Sequence, residues 1–204
     1  MPNWCSNIVY VKGTAEVREK IEEIFSKEEP FAEVMPEPNY DEVVVPWSLH
    51  KVLSAKRNEI ELEEPKPGRK NAWYDWRIAN WGTKWEPDGE VYAIADDNLD
   101  SGEEVLNLSL YTAWGPPEGI FKELSKMEGV EEVVSHFYEP AMEFVGIKFY
   151  QDGDVVEELD LELEDYTELL EEADKKEKEN LTEEDRWVQN LADLFDIRDT
   201  LIPF

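Results

Sequence analysis

Four of the eight tryptophans and five cations share the stretch Lys66–Trp85. Lys66, Arg69, Lys70, Arg77 and Lys84 stand against a single acid, Asp75, so this short segment carries a net charge of +4. Interleaved indoles and cations have two uses. Trp faces stack a nucleobase or cage a small ligand while neighbouring cations meet a phosphate. On this reading Trp73, Trp76, Arg77, Trp81, Lys84 and Trp85 are candidate ligand-binding residues. On the other reading the rings close a sheet face or an open end of the core, with Arg77 stacked on one of them and paired to Asp75. Trp suits that role because it buries a large area and its N–H needs only one partner. The residues alone leave both readings open.

The opposite charge gathers near the C-terminus. Asp154–Asp185 holds 16 acids against Lys175, Lys176 and Lys178, a net charge of −13 over 32 residues. Within Val155–Leu163 strand alternation puts Glu158, Asp160, Glu162 and Glu164 on one face and Leu159, Leu161 and Leu163 on the other. Same-face carboxylates then recur about every 6.8 Å. With Asp165, Glu168, Glu171 and Glu172 just beyond, they form a candidate surface for a basic partner.

Other chemistry finds little support. His50 and His136 are the only histidines and stand far apart, without a second ligand at metal spacing, so neither a zinc site nor a histidine-based triad is expected. Asp96–Gly102 looks like a calcium loop, but counting from Asp96 puts Ser101 at the sixth position and Asn107 at the twelfth, where Gly and Glu are required. Trp81-Gly-Thr-Lys84 lacks the order and the preceding glycine of a phosphate loop. The lone cysteine, Cys5, has no neighbouring base and suits a small buried apolar position in a reducing compartment. The expectation is a protein that is not an enzyme and needs no cofactor or metal.

Fifty Asp and Glu against twenty Lys and Arg give the 204-residue chain a formal net charge of −30. That excludes broad binding to nucleic acid or an anionic membrane over the general surface. A hydrophobic fraction of 41% and eight Trp argue for a folded core rather than an acidic disordered chain. No apolar run is long enough to span a membrane, and Met1–Cys5 has no signal-peptide pattern.

The elements that must position these residues follow from periodicity. Asn7–Lys12 reads as a strand, and Thr14 caps a helix carrying Val17, Ile21, Ile24 and Phe25. Pro30–Pro67 reads as irregular, with a helical turn or two near Trp47–Leu53. Glu90–Ala95 and Val105–Thr112 pair as a hairpin. Pro116-Pro117 opens a helix with Ile120, Phe121 and Leu124. Val130–Tyr138, Met142–Tyr150 and Val155–Leu163 are strands, the last two joined by a tight turn at Asp152-Gly153. Tyr166, Leu169, Leu170 and Ala173 stripe one helix, and Thr182 with Asp185 caps another that carries Trp187, Leu191, Leu194 and Phe195. The order predicts an α+β ferredoxin-like sandwich, an antiparallel sheet with two helices on one face, plus an acidic C-terminal helical extension. The expected division is 1–151, with an irregular insertion at about 30–89, and 152–204.

Met1–Asn7, Trp76–Trp85 and Thr112–Pro117 resemble the YubB ferredoxin-like family of phage and plasmid proteins over roughly residues 1–150. The resemblance implies a ferredoxin-like sandwich, a mobile genetic element as source and a host cytoplasm as setting; it carries over no catalytic residue. The acidic stretch after about Asp152 lies outside those blocks. Three functions follow as expectations. The first is an accessory protein that binds a basic surface of a host protein, as a mimic of DNA that inhibits a nucleic-acid-binding or antiphage defence protein. The second is a nucleotide-binding or sequestering protein built on Trp73–Trp85. The third is a structural or assembly protein of the element.

Overall fold

A computed structural model describes residues 3–96, 105–176 and 180–195. Its elements in chain order begin with β1 (Trp4–Gly13), α1 (Ala15–Phe25), α2 (Pro30–Val34), α3 (Leu49–Arg57) and α4 (Ala72–Asn80). The order continues with β2 (Asp88–Asp96), β3 (Val105–Ala113), α5 (Glu118–Ser125), β4 (Val130–Glu139), β5 (Phe144–Gln151), β6 (Asp154–Glu162), α6 (Leu163–Asp174) and α7 (Glu183–Leu194). The strands form one six-stranded sheet in the order β2-β3-β1-β4-β5-β6, antiparallel throughout. The block β2-β3-β1-β4 with α1 and α5 is the expected ferredoxin-like unit, and β5 and β6 extend its sheet past β4.

Alternation decides which residues meet. Val9 and Val11 of β1 lie opposite Leu108 and Leu106 of β3, and Val11 lies opposite Val133 of β4. This face meets Val17, Ile21 and Phe25 of α1 and Ile120, Phe121 and Leu124 of α5 in the main core. The expected helix pair on one face is therefore present. The other face is covered as well, over the β4–β6 half, where Tyr138 and Val145 pack with Tyr166 and Leu170 of α6 and Val188, Leu191 and Ala192 of α7. Leu159 and Leu161 point into that second cluster. The tight turn at Asp152-Gly153 has both residues at positive φ, 52° and 90°, as a two-residue hairpin of the primed type requires. The Gly153 N–H donates to Ser125 Oγ at 2.9 Å, pinning the turn to the end of α5.

The 30–67 stretch is less irregular than its composition suggests, since it holds α2 and α3. α4, unanticipated from the sequence, follows it, and the C-terminus of α4 runs against α5. Gly119 makes that approach feasible. A Cβ there would stand 1.6 Å from the Asn80 carbonyl oxygen, and the Gly119 N–H donates to Trp81 O at 3.2 Å. The Asp96–Gly102 loop falls, from residue 97 onward, outside the described residues.

His136 lies in the sheet between Ile8 and Ile147, 4% exposed, with its ring edge-on to Tyr10 at 5.4 Å. Burial lowers its pKa from 6.5 to about 4. The folded state therefore binds fewer protons than the unfolded chain between these values, and His136 contributes stability that is present above pH 6.5 and lost as pH falls toward 4. A shift of this size corresponds to about 3 kcal/mol. Urea unfolding at pH 7, 5.5 and 4.5 should show this decline, and His136→Phe should flatten it.

Candidate functional site

Three sequence blocks that lie far apart in the chain converge at one end of β1. The Asn7 amide donates to Thr112 Oγ1 at 2.9 Å, and the Thr112 hydroxyl donates to Gly115 O at 2.7 Å. The Thr83 hydroxyl donates to Ala113 O at 3.1 Å. Trp114 adopts the left-handed region at φ 72° and is held there as its N–H donates to Asn3 O at 3.0 Å. The Trp4 and Trp85 rings stand 6.3 Å apart. Between the Trp85 and Trp114 rings lies the Lys84 ammonium, 3.6 Å from each centroid. Burial between them holds Lys84 below the ordinary lysine range. The aromatic cluster thus ties together the segments around Trp4, Trp81–Trp85 and Thr112–Trp114.

The six candidate ligand residues gather around Arg77, which also donates to Lys84 O at 3.3 Å, but they are divided between core and surface. Trp81 is fully buried in the main core, and its indole N–H donates to Met35 O at 3.0 Å. Trp76 packs edge-on against Trp81 at 6.0 Å and Tyr40 at 6.5 Å. Arg77 lies over Trp81 at 4.4 Å and near Trp73 at 5.5 Å. Its ion-pair partner is Glu37, which also accepts from the Tyr40 hydroxyl. The expected Arg77–Asp75 pair is corrected here: Asp75 instead pairs with Arg69 at 2.7 Å and accepts from the Ser48 N–H at 3.0 Å. On α4, residues 75 and 77 project from different sides, so each finds a partner from the preceding insertion. Burial opposes the Glu37 charge, but the bonds from Arg77 and Tyr40 outweigh it and hold the carboxyl below its usual range. Trp73 and Trp85 remain exposed at the surface.

The acidic residues are all exposed, but the structure distributes them over two sides. Glu158, Asp160 and Glu162 of β6 lie opposite Lys148, Gly146 and Phe144 of β5, on the face that α5 covers. β6 ends at Glu162, which corrects the placement of Glu164: it is in the first turn of α6. Asp165, Glu168, Glu171 and Glu172 follow on α6, whose Tyr166, Leu170 and Ala173 face the opposite side of the sheet. The two groups meet around the free edge of β6, which pairs only with β5 among the described residues. Lys148, which the sequence reading left out, gathers Glu158 at 3.1 Å, Asp160 at 3.4 Å and Glu118 at 3.2 Å. Burial pulls its pKa down, but the three carboxylates outweigh that and hold it above the ordinary lysine value. Its strand position opposite Glu158 was the available signal. Glu171 pairs with Lys175 at 3.7 Å. Glu162, Glu164, Asp165, Glu168 and Glu172 have no cation within ion-pair range among the described residues.

Catalytic geometry does not assemble around the remaining candidates. Cys5 is fully buried, and burial together with the Glu139 charge pushes its thiol well above the ordinary range. No three His, Cys, Asp or Glu side chains among the described residues converge on a metal position. No helix among the described residues is long and apolar enough to cross a membrane.

Fold and strand order define an α+β protein of the ferredoxin-like class. Residues 80–180 match the model of the family described as "Ferredoxin-like domain in Api92-like protein". The matched stretch runs through β6 and α6, past residue 150 where the resemblance read from the sequence ends. The chain is also similar to the crystal structure of a protein api92 from Yersinia pseudotuberculosis, with a TM-score of 0.52 and 12% identity. That likeness covers 79% of this chain and 98% of the other, and is one of fold. No curated protein matches the chain.

Arg77 joins α4 to the insertion through both its charge and its stacking. Arg77→Ala should cost about 2–4 kcal/mol by leaving Glu37 without its cation and uncovering Trp81. Arg77→Lys should recover less than half, because an ammonium cannot both stack and fork. Urea midpoints of both variants check this.

Proposed function

We propose that the protein acts without catalysis, by setting the carboxylate-covered edge of β6 and α6 against a basic surface of a host protein. A nucleic-acid-binding groove, including one of an antiphage defence protein, is the class of target whose charge this edge complements, and occupation of the groove would inhibit it. The observation that carries the reading is the set Glu162, Glu164, Asp165, Glu168 and Glu172, exposed and without cations among the described residues.

Magnitudes favour this region over the surface at large. The accessible area is 12608 Å², so a charge of −30 averages one per roughly 420 Å². Taking area in proportion to length, Asp154–Asp185 spreads −13 at one per roughly 150 Å². Duplex DNA, with a phosphate per about 1.7 Å of a cylinder about 20 Å across, presents one per roughly 110 Å². The segment comes within a factor of two of that density; the whole molecule does not. Charge at this density raises the rate of encounter with a cationic groove and makes affinity depend steeply on salt. The resemblance to phage and plasmid proteins favours a mobile genetic element as source and the host cytoplasm as the place of action.

A partner captured from host lysate by the full chain should bind more weakly as salt rises, and duplex DNA should compete for it. Replacing the five carboxylates together, as Glu162→Gln, Glu164→Gln, Asp165→Asn, Glu168→Gln and Glu172→Gln, should weaken binding at least about tenfold and flatten the salt dependence. Affinity that is insensitive to both salt and these substitutions would exclude the reading.

A further inference from the structure

Two cations of Lys66–Trp85, Arg69 and Lys70, line a cleft. It has a volume of about 530 Å³ and lies between the starts of α3 and α4. That size falls within the range of roughly 300–1,000 Å³ typical of small-ligand sites. Its walls carry Lys51, Arg69 and Lys70 beside His50, Trp47 and Trp73.

The charges in the cleft are unevenly satisfied. Arg69 lies flat over the Trp47 ring at 3.8 Å and pairs with Asp75, the acid of the cleft wall. This exchange neutralises one cation and fixes the position of the guanidinium, which is nine-tenths buried. Its Nε nevertheless has no hydrogen-bond partner. Lys51 and Lys70 are exposed at the rim and have no ion pair among the described residues. Counting Lys51, Arg69 and Lys70 against Asp75 leaves +2 at the cleft in a chain of −30.

Neither Ser48 at the start of α3 nor Asn71 at the start of α4 turns its side chain back to cap its helix. First-turn residues of both helices, His50 and Lys51 from one and Trp73 from the other, line the cleft. The start of α3 is already met by Asp75, which accepts from the Ser48 N–H at 3.0 Å and itself stands in the first turn of α4, so the free positive charge of the cleft is that of the lysines. Trp73 is 36% exposed, which offers an aromatic platform next to the charge.

We infer that this cleft binds a mononucleotide, its phosphate held by Lys51 and Lys70 and its base stacked on Trp73. Beyond a Debye length of about 8 Å the general negative field is screened, so the local +2 governs a phosphate at the cleft. The base distinguishes the ligand from a simple anion, because the exposed indole of Trp73 stands in the wall of the same cleft as the two lysines. The site shares no element with the acidic edge, so it stands or falls independently of the partner-binding reading.

Titration calorimetry on the full chain, with AMP, GMP, CMP and UMP as probes, tests the inference. At least one should bind saturably with a Kd below about 1 mM. The matching nucleoside and inorganic phosphate should each bind at least tenfold more weakly. The Lys51→Ala/Lys70→Ala pair and, separately, Trp73→Ala should each weaken the nucleotide at least tenfold; far-UV circular dichroism and melting confirm that they fold. Absence of saturable binding for all four nucleotides overturns the site. So does inorganic phosphate binding as tightly as the nucleotide, or binding that neither variant changes. A 5′-phosphorylated oligonucleotide that binds where mononucleotides do not would also overturn it, in favour of a nucleic-acid end.

Discussion

Self-repulsion among fifty carboxylates sets the terms on which this chain folds. Two charges about 6.8 Å apart in water repel by only about 0.6 kcal/mol, whereas at an effective dielectric of 20 the figure is about 2.4 kcal/mol. Excess acid is therefore cheap on an exposed edge and costly inside, and the structure sorts it accordingly. Each carboxylate brought inward is matched to specific donors. Glu139, 1% exposed, accepts from the N–H groups of Ala141 and Met142. Glu86 accepts from those of Phe31 and Ala32 at 2.7 and 3.0 Å. Asp75 and Glu37 take arginines, and Glu118 takes Lys148 and Lys122. The unmatched remainder is left to β6, α6 and the outer surface.

Arginine and lysine, being scarce, act as joints. Arg77 links α4 to the Glu37 segment across 40 residues, Arg69 links α4 to the start of α3, and Lys148 links α5 to the edge strand. Each joint is a charge held against an aromatic ring or within a carboxylate group, where water is partly excluded and the interaction is stronger than at the surface. The insertion keeps its position on the ferredoxin-like unit because Trp81 is buried in that unit's core while Arg77 and Gly119 fix the approach on either side.

The strands and the two sandwich helices were legible because their signals are local. Val9 and Val11 alternate with outward residues, Ile120, Phe121 and Leu124 recur at helical spacing, and Asp152-Gly153 announces its own turn. The capping box at Thr182 and Asp185 was legible for the same reason, and it forms as read, with Lys176 and Thr182 holding Asp185 down to about pKa 2. The insertion was not legible, because its order comes from pairings remote in sequence. Nothing near Arg77 distinguishes Asp75, two residues away, from Glu37, 40 residues away. Nothing near Trp81 separates it from Trp73, although one is fully buried and the other is at the surface. Period-two alternation continued through Leu163 puts Glu164 on the face of Glu158, Asp160 and Glu162, but there the chain turns into α6 and crosses to the other side of the sheet.

That crossing separates two uses of the acid. A free strand edge invites pairing with another chain, and charged side chains on it are a common defence. Glu158, Asp160 and Glu162 meet that need, and Lys148 tempers the first two so that the edge keeps its place against α5. Edge protection gives no reason for Glu164, Asp165, Glu168 and Glu172, which are on a helix whose backbone is already satisfied. Helix stability accounts only for part of them: Glu164 and Asp165 lie in the first turn, where the dipole favours acids, but Glu172 lies in the last turn, where it does not. The acid that neither edge nor helix requires is therefore the acid on the outer side of α6, and it is this charge that the proposed cationic partner surface would compensate.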